Sequence, residues 1–372
     1  MTPTQIALGL AAFQAAMVAR NLTLYTHPRQ LNPRQSFDDG VSVLIPARNE
    51  EKNLGKLLSS LLNQVDCRFE VVVLDDNSED STYSIAESFA ENDRRVRVVR
   101  SRPLPDGWAG KQFACHQLSQ EARFDHWIFV DSDVVFTDAQ ALARMAFHLK
   151  SSSAGMLSSV PRQLTGTWAE QLIIPIIHQV LLGFLPFWEM RRNCMPALGA
   201  ACGQLVAVKR QAYHQSGGHE GVKHRLHDAT ALATLMREKG ILTDLFDSTE
   251  LASCRMYHNS RDVFLGFAKN ATEGMAQPAL LPLWTVLLLG ANVWPWACGF
   301  LQGWTWELIL AVILNLSVFG VLMRRYRHSW LGAVARPAGV LTFVAIQWIA
   351  LIGKWVGWRA TWKGRSYKRL YK

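Results

Sequence analysis

From Val41 onward the chain alternates short apolar runs with amphipathic ones, and most of the apolar runs close in a polar, carboxylate-bearing loop. Val41-Ser42-Val43-Leu44-Ile45, Phe69-Glu70-Val71-Val72-Val73-Leu74, Val96-Arg97-Val98-Val99 and Trp127-Ile128-Phe129-Val130 read as buried strands. Helices are expected between them, over Glu51 to Gln64, Ser81 to Asn92 and Gln112 to Glu121. Runs this short and this apolar belong in a sheet covered on both faces. The expected fold class is therefore α/β, a parallel, doubly wound, Rossmann-like sheet whose ligands bind outside the carboxyl ends of the strands.

The loops at those ends carry the chemistry. Asp131-Ser132-Asp133 follows directly on its strand, and two carboxylates at i and i+2 can converge on one hard cation, here Mg2+ or Mn2+, which would hold a diphosphate. Taken alone, the same triplet fits an ordinary strand-end turn. Pro46-Ala47-Arg48-Asn49-Glu50 is expected to end the first strand, with Pro46 stopping the ladder and Arg48 and Glu50 facing a nucleotide; it fits an Asn49-capped connection equally well. Asp75 and Asp76 offer carboxylates to a ribose or base, while Asp80 or Ser81 caps the next helix. Gly107-Trp108-Ala109-Gly110-Lys111 enters a helix, where backbone N–H groups and Lys111 can neutralise phosphate.

Charge and hydropathy divide the chain. Charged residues fill the first two thirds, whereas Leu, Val, Ile, Ala and Trp dominate from Pro278. Leu280 to Leu301 and Leu308 to Met323 have the length and character of membrane spans, joined by a Trp-rich turn over residues 302–306. Gly339 to Val356, behind Arg336-Pro337, is expected to re-enter rather than cross, because a full third span would export the basic tail. Residues 1–26 read as an uncleaved N-terminal membrane helix and 168–190 as an interfacial helix. The division expected is thus a catalytic domain over 40–275, a membrane segment over 278–358 and a basic tail over 359–372. The net charge of +9 gathers in Arg324-Arg325-Tyr326-Arg327-His328 and in the tail, next to apolar spans. This pattern suits anionic lipid headgroups and argues against nucleic acid. The six cysteines show no C-x-x-C spacing, which suits a reducing compartment and indicates no thiolate metal site.

Pro46 to Glu50, Asp75-Asp76-x-Ser-x-Asp-x-Thr, Gly110-Lys111 and Asp131-Ser132-Asp133 resemble, in order and spacing, the family 2 glycosyltransferases of the GT-A fold. The resemblance runs over roughly residues 40 to 275 and continues through Gly199 to Gln204, Ser216-Gly217-Gly218-His219 and His227-Asp228. It is nearest to the membrane-bound lipid and carotenoid branch, on Trp108-x-Gly110-Lys111-x-x-Ala114-Cys115, Gly217-Gly218-His219 and Arg255-Met256-Tyr257. It implies Asp228 as general base, Asp133 assisted by Asp131 as metal ligands, and Lys111 and Arg255 as positive charge for the diphosphate. Where the family commonly has Glu, this chain has His227, so the base rests on Asp228; that residue also fits a plain first-turn acid of a helix over Ala229 to Lys239. Ala252 and Met256 replace the Gln and Trp of the motif found in processive synthases, against an extruding polymerase.

The function implied is a membrane-bound inverting transferase moving a sugar, UDP-glucose by default, to a lipid-soluble acceptor, with its catalytic domain cytoplasmic. A sugar nucleotidyltransferase is a rival within the fold, but the loop Pro46 to Glu50 lacks the glycines that activity needs. A non-catalytic nucleotide-sugar-binding membrane protein is the rival from another class.

Overall fold

The computed structural model describes residues 1–32, 35–356, 361–362 and 365–366, so most of the expected basic tail lies outside the described residues. Two compact units emerge. One comprises Tyr25–Arg162 and Phe187–Cys254; the other comprises Met1–Leu24, Gln163–Pro186 and Arg255–Ser366. The sheet-bearing unit is narrower than the expected 40–275, since residues 163–186 and those after Cys254 belong to the helical one.

The sheet-bearing unit holds strands β1 (Phe37–Ala47), β2 (Cys67–Asp75), β3 (Val96–Arg100), β4 (His126–Val130), β5 (Val134–Phe136), β6 (Met156–Ser158), β7 (Arg162–Gln163, at its border), β8 (Leu205–Lys209), β9 (Thr243–Leu245) and β10 (Ala252–Cys254). Seven of them form one sheet in the order β3-β2-β1-β4-β8-β6-β9. β1 to β4 are parallel, as their apolar runs predict. The expectation of a wholly parallel sheet fails at β8, which runs antiparallel to β4 with Val130 opposite Leu205. The reason lies at the strand end: Asp131 N–H donates to Gln204 O at 3.1 Å, so the chain enters β8 from the carboxyl end of β4 and must run back along it. That reversal brings Gln204 and the residues just before it to the carboxyl end of β4.

Pro46 does not end β1 as expected. Pairing with β2 continues through Pro46 opposite Leu74 and Ala47 opposite Asp75, whereas pairing with β4 stops at Leu44 opposite Phe129. With no strand on the β4 side at that level, a missing N–H costs nothing there. Below the site, Leu44, Val72, Leu74, Trp127, Phe129, Val206 and Val208 form the core, and the Trp127 indole N–H is satisfied by Phe124 O at 2.6 Å.

The helical unit has a buried apolar core, including Ile176, Leu288 and Phe343, and also exposes apolar side chains. Along the helix Trp306–Arg325, Ile309, Ile313, Leu316 and Val321 are exposed, while Asn315 is buried and donates to Ala291 O at 2.7 Å. Gln179 Nε2 donates to Asn292 Oδ1 at 2.7 Å and Asn21 Nδ2 to Leu182 O at 2.8 Å, both inside the unit. Apolar outside and hydrogen-bonded amides inside is the arrangement that lipid, not water, stabilises. Two helices, Trp306–Arg325 and Arg336–Trp355, are long and apolar enough to cross a membrane; Leu281–Asn292 and Trp294–Gln302 count as a third span if taken together, although they bend by 55°.

The expected break therefore moves. Gly339 to Val356 lies inside one unbroken helix, because Pro337 occupies the first turn, where its missing N–H is not needed, and the bend falls instead at Val293 and Pro295. The N-terminal stretch forms a helix, Pro3–Leu22, closed by a Thr2/Gln5 capping box, but it is not among the helices long and apolar enough to cross. The expected interfacial helix is split by Pro175 and Pro186; Ile173, Ile174, Ile176 and Leu182 are buried and Trp168 is left exposed.

Candidate active site

At the carboxyl end of β4 the chain brings two carboxylates onto one lysine, with Asp133 two residues beyond the first of them. Lys111 Nζ lies 2.7 Å from Asp131 Oδ1 and 2.8 Å from Asp228 Oδ2. Lys111 stands in the first turn of helix Gly110–Glu121, and Asp228 is the first residue of helix Asp228–Glu238. Asp228 is thus both a first-turn acid and a pocket residue. Pro46, Cys115, Phe129, Val206, His219 and Leu232 line the same cavity of about 280 Å³, part of it open to solvent.

The charges do not balance. Burial alone would disfavour the ionised Asp228, yet the Lys111 ammonium beside it overrides that and holds its carboxyl well below the usual range. Asp131 goes the other way, raised by burial and by the neighbouring Asp228 charge despite the same lysine. One ammonium serves one carboxylate well and cannot serve both. Asp133 has still less support: burial and the Asp131 charge push its carboxyl up to about 7, and its Oδ1 is buried without a hydrogen-bond partner. The site collects more negative charge than the protein supplies cation for, which is the condition under which a bound cation is stabilising.

The neighbouring loops are braced against each other. Arg48 Nη1 donates to Asp76 O at 2.6 Å and to Asn77 O at 3.1 Å, so this arginine shapes the loop after β2. Asn49 and Asn77 both take left-handed backbone, at φ of 52° and 53°, a conformation that asparagine tolerates better than most residues. Glu50 N–H donates to Thr82 Oγ1 at 2.7 Å, and Asp80, not Ser81, receives the Thr82 N–H at the head of the helix Thr82–Asn92. Asp75 Oδ1 is buried with no hydrogen-bond partner, leaving an acceptor at the end of β2. Arg255 Nε meets Glu170 Oε2 at 3.3 Å within the helical unit.

Two residues with no role assigned above, Gly203 and His219, take part. A Cβ on Gly203 would fall 2.7 Å from Asp228 Oδ1 and 3.0 Å from Oδ2, so the carboxylate rests against bare backbone. His219 is fixed by Tyr213, whose hydroxyl lies 2.8 Å from Nδ1 and accepts the His219 N–H at 3.1 Å; burial pushes this imidazole down to about 3, so it is neutral. Gly217 and Gly218 shape that turn with φ of 90° and 55°, and a Cβ on Gly218 would strike the Tyr213 ring at 2.3 Å. Gly203 and His219 both lie in stretches that carry the sequence resemblance, Gly199 to Gln204 and Ser216 to His219, which assigned them no part in the site.

Comparison with known proteins agrees with this architecture. Residues 42–216 match the family described as Glycosyl transferase family 2. A 4,4'-diaponeurosporenoate glycosyltransferase from Staphylococcus haemolyticus is 28% identical over 254 residues, covering 67% of this chain and 66% of that protein. Its Staphylococcus aureus counterpart is 26% identical over 259 residues, with 68% and 66% covered. The match therefore spans just under two thirds of the length of these relatives. Among solved structures, a mannosyltransferase from Pyrobaculum calidifontis in complex with GDP-Man and Mn2+ superposes with a TM-score of 0.55 at 18% identity, covering 96% of this chain and 99% of that one. Residues 42–216 thus carry a family 2 glycosyltransferase domain, in the GT-A fold.

Proposed function

We propose that this family 2 glycosyltransferase domain moves a sugar from a nucleotide-diphosphate sugar, UDP-glucose in the first instance, to a lipid-soluble acceptor, inverting the anomeric centre. The observation that carries the reading is the excess of carboxylate at the end of β4, with Asp131 and Asp228 on one lysine and Asp133 Oδ1 without a partner. Hard carboxylate oxygens of this kind fit Mg2+ or Mn2+. Among the described residues no group of three or more His, Cys, Asp or Glu side chains is placed to hold a metal ion, so the reading rests on Asp133 and Asp131 together with substrate phosphates. Asp133 and Asp131 would hold it, and when bound it supplies charge neutralisation for the departing nucleoside diphosphate.

The chain's own residues do the rest. Asp75 offers its free acceptor to the nucleoside. Lys111 keeps Asp228 ionised and hence able to receive a proton. The acceptor oxygen forms its bond to the anomeric carbon, the bond to the diphosphate breaks on the opposite face, and any hydroxyl proton goes to Asp228. A carboxyl held this low is a weak base, which favours an acceptor that is already ionised: a carboxylate would give a glycosyl ester and need no proton removed. Relatives named for diaponeurosporenoate, itself a carboxylate, support that class of acceptor.

Membrane residence is part of the same reading. The apolar outer surfaces of the two candidate spans would keep the enzyme where such an acceptor dissolves, as a multi-pass protein with the catalytic domain on the cytoplasmic side. The test is transfer of labelled glucose from UDP-glucose to lipid extract by the purified protein, with products resolved by mass spectrometry. A glycosylated apolar acid is expected; absence of any labelled lipid with every nucleotide sugar tried would overturn the reading.

A further inference from the structure

The helical unit contains a cation that nothing around it answers. Arg336 is 1% exposed, and none of its Nε, Nη1 and Nη2 atoms has a hydrogen-bond partner. The Phe319 ring lies over the guanidinium at 3.7 Å. A ring face accommodates the charge of the plane but accepts none of the five N–H bonds, which point outward within it. Arg336 is also the first residue of helix Arg336–Trp355, capped by Ala335 with no side-chain acceptor. The partial positive charge of a helix N-terminus makes this the wrong end for a cation. Burial, missing acceptors and the sign of the helix end all call for an anion.

Its position in the chain says which kind. Arg336 closes the connection between the two candidate spans, a stretch that begins at Arg324 and Arg325 and carries exposed Arg327 and exposed Trp330. Arginines and a tryptophan at the ends of apolar helices mark the headgroup level of a bilayer. We propose that Arg336, with the helix end it stands on, binds an anionic oxygen headgroup carried on an apolar tail, and that the occupant is the phosphate of an anionic membrane lipid. The inference rests on the membrane reading of these helices and is independent of sugar transfer.

The full chain, purified in nonionic detergent and placed in bilayer discs, tests it through the thermal midpoint read from tryptophan fluorescence without donor sugar. Discs of phosphatidylcholine alone are compared with discs containing phosphatidylglycerol, and with phosphatidylcholine discs given oleate or inorganic phosphate. Wild type is expected to gain roughly 5 °C with phosphatidylglycerol. Arg336→Met should lose that gain and, in phosphatidylcholine alone, melt no lower than wild type, because it removes an unanswered charge. Arg336→Gln, which keeps a polar side chain, should also lose the gain and serves if the methionine variant does not fold. An equal gain in wild type and variants overturns the site. A gain with oleate alone or inorganic phosphate alone overturns the lipid-phosphate assignment. Release of the protein from membranes by a carbonate wash would instead defeat the membrane reading beneath it.

Discussion

The two units carry opposite charge imbalances. In the sheet-bearing unit, Asp131, Asp133 and Asp228 have one lysine among them; in the helical unit, Arg336 has no hydrogen-bond partner among the described residues. Buried charges in proteins are ordinarily paired, because an unpaired one forfeits its hydration with no return. An imbalance that persists therefore marks where a ligand supplies the missing sign. The difference lies in how each is built. The carboxylates are delivered by a sheet that gathers strand and helix ends from distant parts of the chain, whereas Arg336 comes from the start of a single helix in an apolar setting. The first is suited to a divalent cation and a nucleotide diphosphate, the second to one headgroup.

The sharpest way to break the first half of this contrast is Asp228→Asn. If the acceptor is a hydroxyl, transfer should fall by about 10²–10⁴-fold with folding and nucleotide binding unchanged. A loss under about tenfold would show that the acceptor arrives ionised. Steady-state transfer assays, with nucleotide binding followed separately by calorimetry, distinguish the two. Asp133→Ala comes next in size. If Asp133 carries the cation, donor binding in Mn2+ should weaken by about a hundredfold, while the much weaker binding in chelator stays as in wild type. Equal weakening with and without the metal would remove Asp133 from the cation site.

Much of the contrast was legible in the sequence. Short, continuous apolar runs predicted β1 to β4, and the carboxylates read directly behind them stand at the carboxyl ends of those strands. What local reading could not supply was partnership. Gly110-Lys111 looks like a phosphate-binding turn, yet Lys111 is engaged by two carboxylates that only the completed sheet brings to it. Arg255 reads as positive charge for a diphosphate, and its Nε is engaged by Glu170. Pro337 resembled a helix breaker until its place in the first turn was known, and the Pro46 ring resembled a strand stop until the extent of the β4 pairing was known. In each case the residue type was read correctly and its effect was decided by what stood beside it.

Gly203 offers a smaller and more local test of how the negative cluster is held. Its backbone lies so close to Asp228 that an added methyl would sit 2.7 Å from Oδ1, inside any permissible contact. The carboxylate cannot retreat freely, because its other oxygen is bound to Lys111 at 2.8 Å and its own backbone begins a helix tied down by Thr230 Oγ1 donating to Ala201 O at 3.0 Å. Gly203→Ala should therefore turn the Asp228 side chain off Lys111, not simply loosen the loop. The expected result is about a tenfold fall in kcat with KM for the donor little changed, since displacing a reacting group by a fraction of an ångström costs rate more than binding. In an Asp228→Asn background the same substitution should have almost no further effect on kcat, because the group it misplaces is already inactive. Additive losses in the double variant would mean that Gly203 serves the loop and not the carboxylate, and the close approach would then be a packing detail without a part in the charge cluster.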